Sequence, residues 1–271
     1  MSSIIKELVE LCQYSGEGKH PFFVQGGGGN CSVKSDGTMA IKASGYFLED
    51  VNEKNGYVVV DLKTKQILEN THLRPSLEVN IHYLLGSHVI HTHPLLLGPL
   101  ICSKEGQEEF KKLFPEENFI WISYAAPGNN LFKRIEEILK GKSLSGNVVL
   151  FLENHGLFVS TQNKKECINL HESIINKLST FFNYSSYSPQ KDIKASGFLT
   201  PDHIVYSSVD LAKLSGKSKI AFEELESYSG FVLSLIDSKK WNVKYLTKEE
   251  ISFIQNMEEE KYRQKLLEKN E

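Results

Sequence analysis

An α/β fold is predicted by three features of this 271-residue chain. Apolar runs of strand length alternate with segments of helical spacing, and strands dominate the early part. One run, Val148-Val149-Leu150-Phe151-Leu152, is apolar throughout, as a strand buried on both faces must be. The hydrophobic fraction of 40% suffices for a sizeable core.

In chain order, Ile4, Ile5, Leu8, Leu11 and Cys12 recur at helical spacing and predict a first helix. Phe22 to Gln25 reads as a short strand. Gly26-Gly27-Gly28-Gly29 follows, a run so costly to order that something must need backbone without side chains there. Cys31 to Lys34 and Met39 to Lys42 pair around Ser35-Asp36-Gly37-Thr38, since Asp-Gly is a strong turn signal. Tyr57 to Asp61 and Gln66 to Glu69 read as a second strand pair. Ser76 is the expected N-cap of a helix whose apolar positions are Leu77, Ile81, Leu84 and Leu85, ending at Gly86. A strand over Val89 to His93 stops before Pro94. A helix over Leu131 to Leu139 precedes the buried run, and the chain returns as Leu157-Phe158-Val159. Asn163, with Glu166 three residues on, opens a long helix.

From about Tyr184 the composition turns linker-like, which divides the chain into residues 1–185 and an extension, 186–271, of unknown role. The extension reads as α/β: a strand over His203 to Tyr206, helices, and a last helix from Thr247 with Glu250 as its capping box. Its charged run to Glu271 reads as a solvated face, and Asp202, His203 and Tyr206 as part of a structural add-on rather than a cap over a neighbouring subunit's pocket.

The formal net charge of −3, with no basic stripe, argues against a nucleic-acid partner. Cys12, Cys31, Cys102 and Cys167 are far apart and read as reduced thiols. The N-terminal residues are amphipathic and acidic, and no apolar run spans a bilayer, so the expected location is the cytoplasm, with no membrane partner.

His91 and His93 stand at i and i+2 of a strand, which puts two imidazoles on one face at metal-ligand separation. His155 follows a buried strand, where side chains point into sites, and Gly156 beside it allows close approach of backbone. Each has a bland reading alone; together, three histidines with an open fourth position are the pattern of a catalytic zinc. Glu78, shortly before the His91 strand, is positioned to act as ligand or general acid/base. An anion pocket is expected from the backbone of Gly26 to Asn30, from Ser44-Gly45 and from Ser76 at a helix start. The glycine spacing is that of neither a P-loop nor a dinucleotide fold.

With these motifs in order, the chain resembles the class II aldolase/adducin family from roughly Leu8 to Phe182. Gly29-Asn30-Cys31-Ser32-Val33-Lys34, Lys42-Ala43-Ser44-Gly45, Arg74-Pro75-Ser76-Leu77-Glu78, His91-Thr92-His93-Pro94 and Glu153-Asn154-His155-Gly156 carry the likeness. Within the family these segments look most like the aldolase half of rhamnulose-phosphate aldolase/alcohol dehydrogenase fusions, with no dehydrogenase half expected in the remaining residues, and like fuculose-phosphate aldolases. The resemblance implies a three-layer fold with a mixed, mostly antiparallel sheet flanked by helices. It also implies a cyclic tetramer with metal sites between subunits. His91, His93 and His155 would hold one divalent ion per subunit, expected to be Zn2+. Glu78 would be the acid/base, with a pKa raised by enclosure, while Gly29, Asn30, Ser44, Gly45 and Ser76 would bind the phosphate of a small phosphorylated sugar. The implied reaction is cleavage of a ketose 1-phosphate, of deoxyhexulose or pentulose type, into dihydroxyacetone phosphate and an aldehyde. A methylthioribulose-1-phosphate-type dehydratase, a pentulose-phosphate 4-epimerase and a non-catalytic adducin-like module are the alternatives. Two departures stand out: Leu77 replaces the second serine of the fuculose-phosphate aldolases, and the segment after Pro94 differs in length and sequence, so it does not show which tyrosine matches their mobile one.

Overall fold

In the computed structural model the described residues are 3–19, 22–68, 71–142, 146–184, 186–187, 193–208, 214 and 216–267. Seven strands are found among them: β1 (Asn30–Ser35), β2 (Thr38–Lys42), β3 (Tyr57–Asp61), β4 (His88–Thr92), β5 (Phe119–Ile122), β6 (Val148–Leu152) and β7 (Gly156–Thr161). They form one sheet in the order β3-β2-β1-β4-β7-β6-β5. All neighbours are antiparallel except β5 and β6. The mixed sheet flanked by helices is thus present.

The apolar run of β6 explains the layering. Val149 and Phe151 pack on one side with Leu8 and Leu11 of α1 (Ser3–Gly16). Val148, Leu150 and Leu152 pack on the other with Ile81 of α2 (Val79–Leu84). The first face also takes in the short α3 (Gly98–Ile101) and α4 (Gly106–Leu113), through Leu100 and Phe110, while Leu131 and Ile135 of α5 (Asn129–Leu139) cover the second. Leu178 of α6 (Lys164–Phe181) completes the first layer, and Asn163 opens that helix by accepting from the Glu166 amide.

Four expectations need correction. Phe22 to Gln25 is not a strand: Phe22 and Phe23 lie in a turn, and their carbonyls accept from Leu95 and His93 instead of a ladder. Gln66 to Glu69 contributes a single bridge, Val60 to Ile67; Glu69 lies outside the described residues. The helix after Ser76 begins only at Val79. The Ser76 hydroxyl accepts from the Glu78 amide at 3.3 Å, so it caps the preceding turn.

The fourth correction is the extension, which is helical among its described residues: α7 (Pro201–Ser207), α8 (Gly216–Ser238), α9 (Lys248–Asn256) and α10 (Glu258–Leu267). His203 to Tyr206 lies inside α7, because Thr200 caps the His203 amide and Pro201 at the first turn presets helical φ. Thr247 and Glu250 do form the capping box, but the helix breaks at Met257, and in α10 Glu260 is buried rather than solvated. Much of the expected linker, residues 185 and 188–192, lies outside the described residues.

Candidate metal centre and anion pocket

The antiparallel register of β4 and β7 sets the site. His91 pairs with Phe158, and the Phe158 ring stacks on the His91 imidazole at 4.0 Å. His93 lies one residue past the end of β4. The turn between β6 and β7, Glu153-Asn154-His155, brings the third imidazole back over the first two. Asn154 holds this turn in a left-handed conformation (φ 52°) while its side-chain amide donates to the carbonyls of Leu199 and Lys244. Gly156 must lack a side chain: a Cβ there would stand 2.5 Å from the Thr92 carbonyl and 2.6 Å from His93 Cδ2.

The outcome is a buried cluster. One ring nitrogen from each of His91, His93 and His155 lies within 4.8 Å of the others. His91 Nε2 and His93 Nε2 are 3.1 Å apart. Two nitrogens on a tetrahedral zinc, each at about 2.0–2.1 Å, stand about 3.3 Å apart, so the spacing suits a shared cation. Glu78 adds a carboxylate, with Oε2 3.1 Å from His91 Nε2 and Oε1 3.4 Å from His155 Nε2. Glu78 Oε1 and His155 Nδ1 are buried with no hydrogen-bond partner among the described residues. Such orphaned polar atoms are costly, and a divalent cation satisfies lone pairs of this kind. The donor set therefore fits a metal ion.

Glu78 departs from expectation. Burial pushes its pKa up, but His91, His155 and the Asn30 amide outweigh this and hold the carboxyl well below the usual range. Asn30 Nδ2 donates to Glu78 Oε2 at 2.9 Å, and Asn30 Oδ1 lies 2.5 Å from His82 Nε2, whose Nδ1 is 2.7 Å from Ser32 Oγ. Because Asn30 spends its amide on Glu78, its oxygen must accept, which places the proton of His82 on Nε2. Burial lowers the His82 pKa to about 3, so this relay is neutral.

One cavity is lined by Gly29, Asn30, Ser44, Gly45, Ser76, Glu78, His93 and His155, and His91 closes its floor through its contacts with Glu78, His93 and His155. The expected phosphate-binding residues, Glu78 and two of the three histidines thus line one cavity, and His91 lies against it through Glu78, His93 and His155. The glycine run serves differently from expectation. The amide of Gly26 donates to Glu224, that of Gly27 to the Tyr206 hydroxyl and that of Gly28 to the Gln25 carbonyl. Most of its amides hold the extension and the loop itself rather than face an anion.

Residue 7 to residue 180 matches the model of the Class II Aldolase and Adducin N-terminal domain. The chain belongs to this family. Among curated proteins, a Bacillus subtilis (strain 168) protein called uncharacterized oxidoreductase YuxG is 29% identical over 126 residues. That match covers 46% of this chain and only 18% of the relative. The N-terminal class II aldolase domain of a conserved Thermoplasma acidophilum protein shares the fold at 21% identity and a TM-score of 0.57, covering 67% of this chain and 94% of that one. An L-fuculose 1-phosphate aldolase does so at 20% identity and 0.51, covering 71% and 93%.

Four residues of this class II aldolase-family site escaped sequence reasoning. Lys42 lines the cavity almost fully buried, reaching among the described residues only the Gly27 and Ala43 carbonyls at 3.5 Å, and burial lowers its pKa to about 8. A buried ammonium this poorly paired favours an incoming anion. The segment Lys42-Ala43-Ser44-Gly45 carried that signal, through its two small residues beside a lysine. Asp202, Glu260 and Arg263 also line the cavity, all three from the extension. No helix of the described residues is long and apolar enough to cross a membrane.

Proposed function

We propose that this chain is a zinc-dependent class II aldolase that cleaves a ketose 1-phosphate into dihydroxyacetone phosphate and an aldehyde. The observation that carries this reading is the Glu78 carboxyl group held against the His91 and His155 imidazoles of the trio, in a cavity also lined by the buried Lys42. The trio would hold the ion, which when bound supplies a Lewis acid for the substrate's carbonyl and hydroxyl oxygens. Lys42, Ser44, Gly45 and Ser76 receive the phosphate, positioning the sugar by contacts remote from the breaking bond. In cleavage the C4 hydroxyl gives up its proton to water as the C3–C4 bond breaks and C4 becomes the aldehyde, and Glu78, flanked by His91, His155 and Asn30, delivers a proton to C3; in condensation Glu78 takes that proton from C3 of dihydroxyacetone phosphate.

The cavity must widen for this. Its free space is about 40 Å³, room for about three waters, whereas small-molecule pockets run to roughly 300 Å³ or more. Glu260 and Arg263 place α10 in its wall, one of several elements that could yield. The family likeness extends the proposal to a cyclic tetramer in the cytoplasm, testable by light scattering of purified protein.

The deciding experiment incubates zinc-loaded protein with a panel of ketose 1-phosphates and assays dihydroxyacetone phosphate. Turnover with a deoxyhexulose or pentulose 1-phosphate is the expected result. Loss of water from an intact carbon skeleton would replace the aldolase by a dehydratase, and protein without stoichiometric metal or turnover would leave a binding module.

A further inference from the structure

His93 is held at both ends of its ring. Its Nε2 faces His91 Nε2 at 3.1 Å, inside the histidine cluster. Its Nδ1 faces outward, 2.9 Å from Asp202 Oδ2, at ion-pair distance but without hydrogen-bond alignment, so that Asp202 Oδ2 has no hydrogen-bond partner among the described residues. Asp202 belongs to the extension, not to the matched family domain, and its position is dictated locally. Thr200 caps α7 and Pro201 occupies its first turn, which fixes Asp202 in the same turn with its carboxylate buried.

The other carboxylate oxygen is fixed too. Asp202 Oδ1 accepts from Arg263 Nη2 at 2.8 Å, and Arg263 Nη1 donates to Glu260 Oε2 at 3.1 Å. The approach of carboxylate to imidazole is so close that residue 28 has no room for a side chain. A Cβ on Gly28 would lie 2.8 Å from Asp202 Oδ2 and 2.9 Å from His93 Nδ1. His91 shows the same arrangement with a different acceptor, its Nδ1 lying 3.0 Å from the Leu157 carbonyl.

We propose that Asp202 is the positioning residue of His93: it accepts the Nδ1 proton, fixes the tautomer and turns the Nε2 lone pair toward the metal, while Arg263 and Glu260 hold it there. A carboxylate behind a metal-bound imidazole sets ring orientation and raises ligand basicity, and losing it typically weakens metal binding about 10–100-fold. The helical extension is therefore a structural part of its own chain's metal centre. This inference rests on the three histidines holding a metal, and is independent of which sugar phosphate is cleaved.

Zinc affinity of the full chain, measured by competition with a chromophoric chelator, tests it. Wild-type protein should bind one zinc per chain, and Asp202→Asn should bind it 10–100-fold more weakly with an unchanged circular dichroism spectrum. The cobalt-substituted variant should show an altered visible absorption band, which a mere loss of packing would leave in place. Glu226→Gln, a change elsewhere in the extension on the far partner of His203, should leave the affinity unchanged. No zinc binding by the wild type would overturn the histidine trio as a metal site. Tight wild-type binding with Asp202→Asn within about twofold would overturn only the role of Asp202. Should Asp202→Asn not fold, nitrogen-15 spectra of zinc-loaded wild type decide: a proton on His93 Nδ1 supports the assignment, and coordination through Nδ1 removes it.

Discussion

Glu78 is buried among nitrogen donors, and that placement keeps its charge. Removing a carboxylate from water favours the neutral acid, so an enclosed glutamate should have a raised pKa. Here the Asn30 amide donates to it, and His91 and His155 flank it, so the anion wins. The neighbours decide the sign, and they come from three separate strands or turns that no local window of sequence shows together. Glu78→Gln keeps the shape and the Asn30 contact but removes the base. We expect turnover to fall by about 10²–10⁴-fold while bound zinc, counted by elemental analysis, stays near one per chain. Unchanged turnover would take Glu78 out of the proton transfer. The three histidines that could hold a metal were readable from sequence, since the spacing of His91 and His93 and the strand-end placement of His155 are local facts. Asp202 and Arg263 were not: a lone acid before an expected strand and a lone base in a charged helix look the same whether they face water or a neighbour.

Individual elements repeat that contrast. The β1–β2 hairpin, β6, α5 and the caps at Asn163 and Thr247 all follow from turn chemistry or periodicity within a few residues. The strand expected at His203 to Tyr206 fails because its β-like residues follow Thr200-Pro201, a start signal strong enough to set a helix. The charged run of α10 was misread for another reason: Arg263 pairs with Glu260, three residues away on one helical face, and with Asp202, so its burial is tolerable. Two outcomes follow for particular elements. In Gly156→Ala the new methyl meets the Thr92 carbonyl and the His93 ring, so the start of β7 must move away from β4. We expect a loss of about 1–3 kcal/mol in urea denaturation together with weakened zinc binding. Full stability with full zinc affinity would mean that the β4–β7 approach tolerates the shift. For α10, a cavity of about 40 Å³ requires its wall to open for substrate. Hydrogen exchange at the α10 amides should change when a ketose 1-phosphate is added, while exchange in β6 stays constant. Equal exchange in α10 with and without bound ligand would place the entry route elsewhere.

Across the whole molecule, the sheet and its two helical layers supply the stability on which the site depends, and several of its buried polar groups tie that stability to pH. His82 sits in the relay behind Glu78, and His171 bridges Tyr14 of α1 and Thr92 of β4. Burial lowers the pKa of each from 6.5 to about 3, so both stay neutral in the folded chain. An unfolded chain would take up a proton on each as pH falls below about 6.5, whereas the folded one refuses it until about 3. Stability from these groups is therefore complete above pH 6.5 and declines as pH drops through that window. The slope is about 1.4 kcal/mol per pH unit for each group. The depressed carboxyls of Glu78 and Asp202 act with the same sign but lower down, below their ordinary values of 4.5 and 3.8. Urea denaturation of metal-free protein, kept so with a chelator to separate this effect from zinc release, should show a falling midpoint from pH 6.5 to 4.5 and a plateau from 6.5 to about 7.5, below the lowered pKa of the buried Lys42. A flat profile across that range would mean that the two histidines are protonated in the native state, and the neutral relay that supports Glu78 would have to be redrawn with His82 as a cation.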